Sequence, residues 1–185
     1  YLALFAINRA YNKDSFSIRQ TVLIALLVYL ATATRSVGIV LFPCIVVYEV
    51  AKYRRIPWFS IKVGILLTAL IGLQSLLIPT TSYRTEITHY HYSITVVLKT
   101  AQYYTAQLGT FWDNGYSNPL RKTLWLVVSL FAALGFFRRL RNGIECSDLF
   151  LIFYLLIVFV WPSRQGMRFL IPVLPLYLYY SLTAF

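Results

Sequence analysis

The chain has 185 residues and a formal net charge of +11, with 59% hydrophobic and only 12% charged residues. A soluble domain carries about 25% charge and needs polar side chains to cover its surface, and a disordered chain needs low hydrophobicity, so neither class fits. What remains is an all-α polytopic membrane protein whose basic excess reads as loops facing anionic lipid. No compact basic cluster has nucleic-acid motif spacing, so no nucleic-acid partner is expected.

The chain opens at Tyr1 inside the apolar run Tyr1–Ile7 and closes at Phe185 inside another. This reads as an internal or C-terminal piece of a longer protein. No basic segment precedes an apolar core with a small-residue cleavage site, so no secretory signal is visible. After the stub come six apolar runs: Ile18–Thr34, Val37–Ala51, Val63–Pro79, Thr123–Phe137, Asp148–Pro162 and Phe169–Phe185. None alternates polar with apolar, so a membrane strand is not expected. The expected architecture is a transmembrane helical bundle of about six spans plus the stub, a single domain over residues 1–185. Several runs are short for a hydrocarbon core of about 30 Å and must borrow flanking residues or thin the bilayer.

Charge sets the orientation. Linkers 8–19, 52–62 and 138–147 carry Arg9, Lys13, Arg19, Lys52, Arg54, Arg55, Lys62, Arg138, Arg139 and Arg141. They fall on one side of a six-span arrangement, which the positive-inside rule makes cytoplasmic. The other side then holds the hairpin near Arg35, the long loop 80–122 and the short loop 163–168.

Within the long loop, Ser93 can cap a helix of about 93–108. Ile94, Val97, Leu98, Ala101, Tyr104 and Leu108 share one face of it, and Thr95, Lys99, Gln102 and Thr105 lie away from that face. Such an amphipathic helix suits the membrane interface. Tyr83, Tyr90, Tyr92, Tyr103, Tyr104, Trp112 and Tyr116 fit an interfacial aromatic belt.

Three places carry candidate chemistry. Arg35 stands in a tight outer hairpin, where its guanidinium can fork onto a phosphate or snorkel to head groups. Gly38 beside it allows close approach of a ligand or a helix. Arg164 and Arg168 stand in a short outer loop, four apart, so that an anionic partner would relieve their repulsion on a helical face. Lipid-facing arginines beside an ordinary kinked span are the plainer alternative. Pro172 and Pro175 then kink the following helix or break its ladder.

His89 and His91, with Glu86 nearby, are the third place. A zinc site there would need ligands from outside the chain, so no metal site is assigned. Glu86 and Asp113 are outer carboxylates that suit loop or capping roles better than base chemistry. Cys44 and Cys146 are too few for a disulfide framework. There is no phosphate-cradling glycine loop and no Ser/His/Asp constellation.

Two of these segments resemble one family. Thr34-Arg35-Ser36-Val37-Gly38 resembles the Thr-Arg-x-x-Gly hairpin of GT-C-type polytopic glycosyltransferases, the superfamily of protein O-mannosyltransferases and lipid A aminoarabinose transferases. Arg168-Phe169-Leu170-Ile171-Pro172-Val173-Leu174-Pro175 resembles the Arg-Tyr/Phe-Leu-x-Pro-x-x-Pro segment that opens a late span there. The resemblance implies the C-terminal part of a membrane domain that moves a sugar from a polyprenyl- or dolichyl-phosphate donor to an acceptor hydroxyl on the outer side. It places Arg35 and Arg168 near the lipid phosphate; Arg164 joins them on charge alone. It also implies a base carboxylate in the first outer loop, upstream of Tyr1, without which the piece is inactive. No cofactor is certain, and a divalent metal is compatible with the family. The implied membrane is the bacterial plasma membrane, or else the endoplasmic reticulum. A transporter or flippase of a lipid-linked anion would use the same arginines, and an assembly subunit would need neither.

Overall fold

The computed structural model describes residues 1–12, 17–54, 56–77, 93–111, 119–161 and 165–184. Among them eight α-helices and two short 3-10 helices are present and no strand. The helices are α1 (Leu2–Asn12), α2 (Ile18–Thr34), α3 (Leu41–Tyr53), α4 (Trp58–Leu77), α5 (Ile94–Thr110), α6 (Pro119–Asn142), α7 (Cys146–Val160) and α8 (Leu174–Leu182). Three helical stretches are long and apolar enough to cross a membrane: Ser36–Tyr53, Trp58–Leu77 and Lys122–Asn142. Helices α2 and α7 are apolar but shorter. The residues cluster into two compact units, 1–82 with 145–154, and 83–144 with 155–185.

In the first unit, α2 begins where the sequence places it because Ser17 and Gln20 form a capping box. The Ser17 hydroxyl accepts from the Gln20 N–H at 3.3 Å, and the Gln20 side chain accepts from the Ser17 N–H at 3.1 Å. Two donors at the helix start are thereby satisfied. Thr21, Ile24, Ala25 and Val28 recur at helical spacing and are buried. Leu23, Leu26 and Leu30 remain exposed, a face compatible with lipid contact.

Helix α4 starts five residues before the expected run. Its first turn is closed from α3: the buried Glu49 carboxylate accepts from the N–H groups of Phe59 (3.1 Å) and Ser60 (2.8 Å), and from the Ser60 hydroxyl. A carboxylate at a helix N-terminus is favoured by hydrogen bonds and by the dipole together. Beside it, the Tyr11 hydroxyl donates to the Ile45 carbonyl at 3.4 Å. Burial, and then the Glu49 charge, pushes the Tyr11 phenol well above its ordinary range, so it stays a neutral donor. The Lys52 ammonium donates to the Tyr11 carbonyl at 2.8 Å and lies over the Tyr53 ring at 5.3 Å. Asp148 is fully buried and accepts from the Glu145 N–H at 2.8 Å, closing the start of α7.

In the second unit, α6 packs on α8 through small and aromatic residues. The Tyr177 and Ser129 hydroxyls are 3.0 Å apart, and Phe136 meets Tyr180 edge-on at 5.2 Å. The last apolar run does not form one long helix. Residues 166–169 are 3-10, the next four are turn, and α8 spans nine residues. The cause is proline: Pro172 and Pro175 have no N–H to donate, and their rings clash with carbonyls one turn back. Pro175 therefore sits in the first turn of α8, the one helical position it suits.

Candidate functional site

The first sequence candidate, Arg35, closes α2. Its N–H donates to the Ala31 carbonyl at 3.0 Å, and its own carbonyl accepts from the Gly38 N–H at 2.7 Å. The side chain is half-buried. A Cβ at Gly38 would lie 2.3 Å from the Ala31 carbonyl oxygen. The close approach that Gly38 permits is therefore made by the chain's own α2.

The second candidate, Arg168, is exposed in the 3-10 helix Gly166–Phe169 of the second unit. Gly166 opens that turn with φ +58, a conformation glycine adopts without steric penalty. Helix α5 holds the turn in place. The buried Tyr104 hydroxyl accepts from the Gln165 N–H at 3.3 Å. The Thr110 hydroxyl donates to the Met167 sulfur at 3.4 Å. Tyr104 and Phe169 rings stand 6.3 Å apart, and Phe169 meets Trp161 edge-on at 6.0 Å. Arg168 thus leaves a turn clamped on one side by a helix and anchored by its buried neighbour Phe169.

Ser93 caps α5 as its sequence suggests, accepting from the Thr95 N–H at 3.3 Å. The apolar stripe of α5 divides. Tyr104 is buried while Ile94 and Leu98 are exposed. The packed side is rotated toward Thr100 and Tyr104, the buried residues of the helix.

On the exposed flank of α5 a shallow, open depression is lined, among the described residues, by Lys99, Gln102, Tyr103 and Ala106. A Cβ at Gly166 would lie 3.6 Å from the Tyr103 hydroxyl, so Tyr103 reaches the turn that carries Arg168. Neither charge nor motif marks this group as a site in the sequence. The signal was present in the spacing: 99, 102, 103 and 106 fall on one side of a helix.

Arg164, His89, His91, Glu86 and Asp113 lie outside the described residues, as do Tyr83, Tyr90, Tyr92, Trp112 and Tyr116. Among the described residues no group of three or more His, Cys, Asp or Glu side chains could hold a metal ion. Cys44 and Cys146 are both free and buried.

No family model, curated protein or solved structure matches this chain.

Proposed function

We propose that this chain is part of a membrane glycosyltransferase that takes a sugar from a polyprenyl- or dolichyl-phosphate donor on the outer face of the membrane. The observation that carries this reading is the docking of α5 on the turn bearing Arg168, through the Tyr104–Gln165 hydrogen bond. Arg168 is exposed on a turn that α5 holds, and a guanidinium can fork onto a phosphate. The lipid phosphate is the leaving group, and its negative charge grows as the glycosidic bond breaks. A fixed guanidinium is worth most against charge that develops in the transition state. The acceptor hydroxyl and its base act on the opposite side of the anomeric carbon.

In this reading about six spans cross the bilayer, and α5 lies in the outer interface. Its exposed Ile94 and Leu98 support that position, because apolar residues beside a polar flank suit the headgroup boundary. The plasma membrane of a bacterium is the proposed location.

The test follows the fate of the sugar–phosphate bond. The intact protein is placed in vesicles with polyprenyl phosphate carrying a radiolabelled hexose. Transfer releases free polyprenyl phosphate and moves label to an acceptor. Movement of the unbroken lipid-linked sugar between leaflets would contradict the reading and favour a flippase.

A further inference from the structure

We propose that the C-terminal end of α6 binds an anionic phospholipid of the bilayer leaflet it meets, through Arg138 and Arg141. The inference goes beyond the transferase reading and does not depend on it. Helix α6 contains one of the stretches long and apolar enough to cross a membrane, Lys122–Asn142. Lys122 and Arg141 stand about 28 Å apart along its axis, at about 1.5 Å per residue, close to a hydrocarbon core of about 30 Å. The basic ends of the helix therefore fall at the two headgroup levels.

The end at Arg141 carries more than diffuse charge. At the helical period, Val127, Leu130, Leu134, Arg138 and Arg141 lie within about 80° of arc. All five are exposed, and Phe137, also exposed, borders the stripe. An acyl chain can lie along the apolar part, and its phosphate then meets two guanidinium groups one turn apart. The Arg138 guanidinium donates to the Ala184 carbonyl at 3.2 Å. That bond limits the travel of the side chain, and a guanidinium carries five N–H donors in all.

Charge selects the occupant. Helix α6 contains no Asp or Glu, so its own sequence supplies no counter-charge to the two arginines. Like charges three apart on a helix repel, and an anion between them relieves the repulsion. A phospholipid brings that anion and an apolar chain in the order in which the stripe presents their partners. Arg139 is half-buried and lies about 140° round the helix from Leu134, outside the stripe. Arginines that served only the helix dipole would show no headgroup preference.

The experiment is native mass spectrometry of the intact protein in nonionic detergent, titrated with dioleoyl phosphatidylglycerol or dioleoyl phosphatidylcholine. The first phosphatidylglycerol should bind about tenfold tighter than phosphatidylcholine, since each arginine at the headgroup level is worth about fivefold. The double variant Arg138→Gln, Arg141→Gln should erase that preference. The double variant Arg19→Gln, Lys62→Gln removes the same charge from exposed positions in the first unit and should keep it. Inorganic phosphate at millimolar concentration should not displace the lipid, because it leaves the apolar stripe unused. No headgroup preference, equal loss in both double variants, or displacement by inorganic phosphate overturns the proposal. A photoactivatable phosphatidylglycerol gives a readout on the unmutated protein: crosslinks should map to residues 127–141, and crosslinks confined to other segments overturn it as well.

Discussion

The carbonyl oxygen of Tyr180 occupies the space where a side chain at Gly135 would begin: a Cβ there would lie 1.9 Å from it. Helices α6 and α8 are therefore in backbone contact, which only glycine allows. Gly135→Leu should lower the thermal midpoint of the detergent-purified protein, by about 1–3 kcal/mol or more of stability as overpacking costs. Gly72→Ala in α4 is the control, since nothing lies within 4 Å of its ideal Cβ. That change should be neutral or raise stability by up to about 1 kcal/mol.

Glu49 closes a helix to which it does not belong. Glu49→Ala leaves the Phe59 and Ser60 N–H groups without their acceptor, at about 1–3 kcal/mol for each buried donor. Glu49→Gln keeps one carbonyl oxygen and should lose roughly half as much. Urea or thermal unfolding in detergent checks the order wild type, Gln, Ala. Equal stability of all three would show that α4 needs no cap.

Cys44 and Cys146 are each fully buried. Buried thiols away from solvent are inert toward alkylating reagents. The folded protein should take up almost no maleimide in minutes at neutral pH, and two equivalents after denaturation in SDS. Mass spectrometry of the labelled chain reads both numbers.

The helices were legible wherever an apolar run met a local stop. Ser17 and Gln20 start α2 by themselves, and its bounds follow from the sequence. The start of α4 was hidden, because its cap comes from Glu49 ten residues away and across a turn. Helix α6 runs past the apolar run at both ends, since long basic side chains such as Arg138 and Arg141 can continue a helix while reaching water. The prolines announced a break before α8 but not its extent. At the site, Arg168 stood out by charge. Its neighbours did not, because Tyr103 and Tyr104 reach the turn from about sixty residues earlier in the chain. Local patterning placed them on a helix and could not say what that helix would touch.

Tyr104 tests the clamp without touching the guanidinium. Tyr104→Phe removes the acceptor of the Gln165 N–H and loosens the turn beneath Arg168. One net hydrogen bond is worth about 0.5–1.5 kcal/mol, so the donor KM should rise up to about tenfold. The rise should come with a normal protein level, because the ring stays in place. An unchanged KM would separate α5 from donor binding.

The most direct measurement is the turnover of Arg168→Ala in the intact protein, assayed with its polyprenyl-phosphate sugar donor at matched protein level. The account predicts a loss of about a hundredfold or more, the scale of losing one transition-state donor. Arg168→Lys should recover little, since an ammonium cannot fork onto a phosphate. Wild-type turnover in the alanine variant would contradict the assignment of Arg168 to the leaving phosphate.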